Sequence, residues 1–154
     1  MRKIFAVTLL GVSLILSGCG PNSHANGNIN GLWTATLSNS SSPNNFVFMT
    51  NLTVNADGSL GTTSFNITVN NTPCTFPTTT ESGSFTISGN FNGQVSGKFN
   101  YVIMSTGVEV NTLSLNGTVM GGEITGTWSV TGATANCAGS GTFTMNPVLA
   151  PAMQ

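Results

Sequence analysis

Residues 113–130, LSLNGTVMGGEITGTWSV, form two runs in which apolar and polar residues alternate, joined by two glycines. The apolar residues of each run share one parity: Leu113, Leu115 and Val119 in the first run, and Ile124, Trp128 and Val130 in the second. A period of two is typical of a β-strand with one buried face, and Gly-Gly favours the tight turn of a hairpin. The stretch therefore predicts two antiparallel strands.

The same period of two continues through the chain from Gly31 onward, and no segment has the period of 3.6 that a helix would need. Eight strands are predicted, the third over about residues 59–69. Their further inward residues are Trp33, Ala35, Leu37, Phe46, Phe48, Leu52, Val54, Phe65, Ile67, Val69, Phe85, Ile87, Val95, Phe99, Tyr101, Ile103, Phe143 and Met145. Val108 and Val110 are assigned to the sixth strand, where their change of parity predicts a bulge near Asn111.

The turns indicate how the strands connect. Asp57-Gly58 and Asn92-Gly93 are hairpin dipeptides like Gly121-Gly122, so neighbouring strands form an up-and-down meander. Closing the meander removes the edge strands that a chain with so few charges could not protect. The sequence thus predicts an all-β, antiparallel, eight-stranded up-and-down barrel, with an immunoglobulin-like β-sandwich as the alternative.

An apolar–x–Gly–x–apolar motif recurs in the predicted strands. Its glycines are Gly89, Gly97, Gly117 and Gly126, and each shares the face of the buried side chains. Inward glycines make room for large neighbours in a narrow barrel, so we expect a packing role for them.

The N-terminal segment has the pattern of a secretory signal. Arg2 and Lys3 precede an apolar run, Ile4 to Leu16, that is shorter than the about 20 residues of a membrane-spanning helix. Residues 1–18 are therefore assigned to a signal peptide. Residues 19–30, rich in Gly, Asn and Pro and containing the single histidine, His24, are assigned to a flexible tether. The β-domain spans 31–146, and 147–154 form a C-terminal tail.

Leu16-Ser17-Gly18-Cys19 resembles the lipobox of bacterial lipoproteins. The resemblance implies that Cys19 becomes the first mature residue and carries a diacylglyceryl group, with palmitate-type acylation of the new amino terminus. Two or more acyl chains are enough for stable anchoring. Because Gly20 follows instead of an aspartate, the resemblance favours the outer membrane, on its periplasmic or surface face.

Cys74 and Cys137 remain as an even pair in an oxidising compartment, which predicts a disulfide. In the chain-entropy model it would stabilise the fold by about 4 kcal/mol. The loops after the third and seventh strands carry these cysteines and share one end of an up-and-down barrel. We therefore expect a disulfide-tied lid with Phe76 pointing into the mouth, at the end away from the tether.

Gly31-Leu32-Trp33 opens the first strand as the Gly-x-Trp motif opens the first strand of lipocalins. The domain thus resembles a lipocalin-like or calycin-like barrel. The arginine that packs on this tryptophan in lipocalins has no counterpart, because the mature chain contains none.

The mature chain has one lysine, Lys98, against four carboxylates, a side-chain charge of −3. This balance argues against nucleic-acid binding. Asp57, Glu81, Glu109 and Glu123 are assigned to solvated turns and strand ends, so no catalytic set, metal site or cofactor is predicted.

We therefore expect a non-catalytic envelope barrel that binds a protein or polysaccharide, a class that includes inhibitors. The alternative is a barrel that binds a small hydrophobic ligand. Its candidate ligand-binding residues are Trp33, Phe48, Phe76, Phe99, Tyr101 and Trp128.

Overall fold

The computed structural model describes residues 29–91 and 94–149. Within these residues the chain forms eight strands and no helix. The strands are β1 Gly31–Asn39, β2 Ser42–Val54, β3 Leu60–Asn70, β4 Thr79–Phe91, β5 Gln94–Ser105, β6 Asn111–Met120, β7 Glu123–Gly132 and β8 Ala138–Pro147. No helix of this part of the chain is long and apolar enough to cross a membrane. The predicted signal peptide, Cys19 and His24 lie outside the described residues.

The strands form one antiparallel sheet in the order β3-β2-β1-β8-β7-β6-β5-β4. Every pair but β1–β8 is consecutive in sequence, and β1–β8 pairing brings the two ends of the domain together. The sheet curls into a nearly closed up-and-down barrel, which confirms the predicted fold class. Hairpin glycines fit their turns: Gly121 and Gly122 have φ of 64° and 81°, conformations that residues with a side chain rarely adopt.

The barrel closes incompletely between β3 and β4, a boundary that we call the seam. The backbone hydrogen bonds described across the seam lie at its lower end, by which we mean the end at which β3 begins. There Ser59 bridges Ser84, and Phe85 N donates to Gly58 O at 2.8 Å. Above this point, within the described residues, β3 pairs only with β2 and β4 pairs only with β5. The outer edges of β3 and β4 therefore face each other across an opening in the wall.

The interior is filled by the side chains that the period of two assigned to it. Trp33, Phe48, Phe99, Tyr101 and Trp128 are all at most 2% exposed. Two inward glycines accommodate aromatic rings: a Cβ at Gly97 would overlap the Phe85 ring, and one at Gly117 would lie 2.8 Å from Phe143 Cζ. The packing role expected for these two glycines follows directly from those contacts.

Two predictions about strands are wrong. Val108 is fully exposed and Val110 is 44% exposed, because both lie in the β5–β6 loop and β6 begins only at Asn111. The pairing of β5 with β6 runs from Met104–Thr112 to Gly97–Val119 without a shift, so the predicted bulge near Asn111 is absent. Alternating residues in a loop of this length imitate a strand locally, but no neighbouring strand pairs with them.

Ile87 was predicted to face the core but is 63% exposed. It pairs with Gly97, the first residue of β5 that also pairs with β6. Beyond this level the β4–β5 hairpin extends past the barrel, and Gly89 on it is exposed too. Parity alone places a side chain on a face, but burial also requires a strand on the opposite wall.

The last two residues of the predicted tether, Ile29 and Asn30, contact the barrel. Ile29 is 2% exposed and belongs to the core, and its carbonyl accepts a hydrogen bond from Trp33 Nε1 at 2.8 Å. Asn30 Oδ1 accepts from Val54 N at 2.6 Å. These two residues therefore pack on the end of the barrel at which β1 starts, which we call the tether end.

The opposite end, the lid end, carries the predicted disulfide. Cys74 in the β3–β4 loop is bonded to Cys137 in the β7–β8 loop, with their Cα atoms 4.7 Å apart. The β3–β4 loop starts beside β2, where Asn71 N donates to Asn45 O, and returns at Thr78 O, which accepts from Thr106 N at 2.9 Å. The loop thus crosses the lid end before the chain enters β4.

Candidate functional site

Of the six aromatic residues predicted to bind a ligand, the structure brings three together. The Phe48 and Tyr101 rings stack with centroids 6.3 Å apart, and the Phe99 centroid lies 6.1 Å from that of Tyr101. Phe76, half-buried, packs at the lid end with its centroid 5.6 Å from that of Phe46. The rings of Phe48, Phe99 and Tyr101 thus contact one another in the barrel interior, where a lumen ligand would have to lie.

Each of the two tryptophans has its indole N–H bonded to the backbone. Trp33 is at the tether end beneath Ile29, whereas Trp128 Nε1 donates to Ser38 O at 3.0 Å. Gly139 and Gly141 lie against the Trp128 indole, with an added Cβ 3.3 Å from its Cη2 and 2.8 Å from its Nε1, respectively. Both tryptophans are thus held as core residues with their polar atoms satisfied.

Tyr101 carries the central polar group of the interior. Its hydroxyl oxygen lies 3.0 Å from Thr50 Oγ1 and 2.9 Å from Thr62 Oγ1. The pKa of Tyr101 is raised to about 12, chiefly because the hydroxyl is buried; the hydrogen bonds with Thr50 and Thr62 oppose the rise, and the nearby Glu81 carboxylate contributes to it. The hydroxyl links β5 to β2 and β3 on the side of the barrel where the wall is open.

The opening itself is a lateral window in the upper part of the seam. We define the seam window by Thr62 and Phe65 of β3 and Thr79 and Glu81 of β4. A groove of about 240 Å³ lies in it, lined by these four residues with Thr63 and Ser64. A second groove of about 250 Å³ continues from it toward the lid, lined by Phe65, Asn66, Ile67, Phe76, Pro77 and Thr79.

Glu81 was predicted to lie on the solvated surface, but it is half-buried and lines the groove of the seam window. It pairs with Ile103, which is fully buried, and directly paired residues share a face of the sheet, so Glu81 points inward. Its Oε1 is buried and has no hydrogen-bond partner, and it is the one such side-chain oxygen or nitrogen found in the described residues. The signal was present in the sequence, because Glu81 shares the parity of Phe85.

The other three carboxylates lie elsewhere. Asp57 is exposed in the β2–β3 turn, where hydrogen bonds from the Ser59 side chain and backbone lower its pKa. Glu109 accepts from Thr134 Oγ1 at 2.9 Å in the exposed loops of the lid end, and Glu123 is exposed at the start of β7. Among the described residues no group of three or more His, Cys, Asp or Glu side chains is placed to hold a metal.

Comparison with protein-family models, with curated proteins and with solved structures finds no match to this chain. The site is therefore defined by its geometry: an inward carboxylate, a buried tyrosine hydroxyl and an aromatic ring at an opening in the barrel wall.

Proposed function

We propose that the protein is a lipid-anchored bacterial envelope protein with a non-catalytic role, in which the barrel binds a protein or polysaccharide partner through its outer surface. The lipobox resemblance at Leu16 to Cys19 supports the anchor. On the predicted topology, the lid end then faces away from the membrane because the chain enters the barrel at the opposite end.

The observation that carries the binding proposal is the filled interior. Phe48, Phe99 and Tyr101 occupy the central volume with ring contacts, and their exposed fraction is zero. Four grooves lined by described residues, of about 240 to 420 Å³, open outward instead. Contact with a partner at the outer surface uses this arrangement without displacing the core.

The anchor is tested by replacing Cys19 with serine, since only a thiol accepts the diacylglyceryl group. Wild-type protein should incorporate labelled palmitate and fractionate with membranes, and Cys19→Ser should do neither. Cys74→Ser is the matched control, which should keep both properties. A Cys19→Ser protein that fractionates like wild type would refute the anchor.

The binding mode is tested by native mass spectrometry of the mature protein after extraction in a mild nonionic detergent. We expect the mass of the acylated polypeptide without a stoichiometric apolar molecule. A bound apolar ligand that is lost when Phe48 is replaced by alanine would establish the alternative, a barrel that carries a small hydrophobic ligand.

A further inference from the structure

The buried Oε1 of Glu81 receives no hydrogen bond from any group of the described chain. A buried carboxylate oxygen without a donor is costly, because it has lost its water without gaining a hydrogen bond. The single lysine or arginine of the described residues, Lys98, lies on the opposite face of the wall, between the buried Gly97 and Phe99. It is exposed and does not reach the inner side on which Glu81 lies.

The surroundings of Glu81 are suited to a cation with an apolar stem. Thr62 and Thr79 supply hydroxyl groups at the rim, and the ring of Phe65 lies between the two grooves. An ammonium group attracts both a carboxylate and the face of an aromatic ring. From there the second groove runs past Ile67 and Phe76, along which a short alkyl chain can pack.

We propose that the seam window binds a primary ammonium group on an apolar stem, with Glu81 as its counter-ion, Phe65 beside the stem and the hydroxyls of Thr62 and Thr79 accepting its remaining hydrogen bonds. Two sources carry this chemistry: a free alkylamine and the lysine side chain of an extended peptide segment. A peptide can in addition form backbone hydrogen bonds with the free edges of β3 and β4. The inference deepens the proposed role in partner binding, since the second source is a protein partner.

The test uses the mature protein in nonionic detergent and isothermal titration calorimetry. The first probe is n-pentylammonium chloride, with n-pentanol and ammonium chloride as controls that carry only the stem or only the charge. The second probe is the peptide acetyl-Thr-Val-Lys-Val-Thr-amide, with norleucine in place of lysine as its control. We expect saturable binding of at least one charged probe and no binding of the three controls.

Glu81→Gln, which keeps the shape of the side chain, should weaken that binding at least about tenfold, because a charge-assisted hydrogen bond is lost. Glu123→Gln, at an exposed carboxylate on β7, is the matched variant and should bind like wild type. Phe65→Leu should weaken binding several-fold and serves as a second variant should Glu81→Gln fold poorly.

The comparison of the two probes identifies the source. A peptide that binds at least about tenfold more tightly than n-pentylammonium indicates a lysine on an added strand, whereas equal or weaker peptide binding indicates a free amine. Absence of binding by both probes, or binding that Glu81→Gln leaves unchanged, overturns the proposal. Either result is independent of the anchor, which the palmitate labelling of Cys19 tests separately.

Discussion

The Tyr101 hydroxyl lies 3.0 Å from Thr50 Oγ1, and this hydrogen bond joins β5 to β2 through the barrel interior. The same hydroxyl is 2.9 Å from Thr62 Oγ1 on β3. Within the described chain, the backbone hydrogen bonds across the seam lie only near Ser59 and Ser84, so these side-chain bonds connect the two halves of the sheet where backbone pairing is missing. The seam is thus held together from inside.

The Tyr101 hydroxyl should lose its proton only at unusually high pH, and the fold should become less stable at alkaline pH. It is the single tyrosine of the chain, so the absorbance of tyrosinate at 295 nm reports it alone. The native protein should titrate with a pKa of about 12, against about 10 for the unfolded chain. The unfolded state then releases its proton first, so stability is complete below pH 10 and falls toward pH 12 by up to about 1.4 kcal/mol per pH unit.

Tyr101→Phe supplies the control for that prediction. The variant should lose the alkaline phase, and it should be less stable at neutral pH by about 1–3 kcal/mol, because the buried Thr50 hydroxyl loses its partner. Denaturant unfolding from pH 7 to 11.5 measures both effects. Wild-type protein that titrates near pH 10 while folded would contradict the buried position of the hydroxyl.

Breaking the Cys74–Cys137 bond should release the lid without melting the sheet. The chain-entropy model assigns about 4 kcal/mol to a bridge of 63 residues' separation. In the Cys74→Ser, Cys137→Ser double variant, the Thr106 amide should exchange faster, because its acceptor is Thr78 O at the end of the lid loop. Loss of the strand signal in the far-ultraviolet spectrum, or unchanged exchange at Thr106, would contradict this assignment.

Asn111 should be the main polar contact that holds the lid to the barrel besides the disulfide. It is fully buried, and its Nδ2 donates to Thr75 O at 2.8 Å and to Thr134 Oγ1 at 2.7 Å, while its Oδ1 accepts from Thr134 N at 3.2 Å. Asn111→Ala should cost about 1–3 kcal/mol and speed amide exchange at Thr134. Asn116→Ala, exposed on the same strand, should change neither quantity.

Gly97 should not tolerate a side chain, whereas Gly89 should. A Cβ at Gly97 would overlap the Phe85 ring and the backbone of Thr86, but one at Gly89 would meet only Ser96 Oγ at 3.4 Å. Gly97→Ala should therefore lower the free energy of unfolding by about 1–3 kcal/mol, as overpacking does. Gly89→Ala should leave the free energy of unfolding nearly unchanged. Equal effects of the two substitutions would contradict a packing role for Gly97.

Much of the fold could be predicted because strands and hairpins are local. The alternation around Gly121-Gly122 determines two strands and their turn from residues that are neighbours in sequence. The pairing of Cys74 with Cys137 was predicted because they remain as an even pair once Cys19 is set aside, and strand counting placed both at one end, since loops after odd-numbered strands share an end. The same local rule failed at Val108 and Val110, because alternation does not say whether a neighbouring strand is present to pair.

The sequence by itself thus determined the strands, their up-and-down order and the end at which the lid lies, because each depends on periodicity, turn residues and chain direction. Only the tertiary structure decided that the aromatic side chains fill the interior and that β3 and β4 stay apart above the Ser59–Ser84 bridge. It also placed Glu81 at that opening with an unpaired oxygen. These features depend on the volumes of the side chains and the angles of the strands around the whole barrel. No local stretch of sequence determines them.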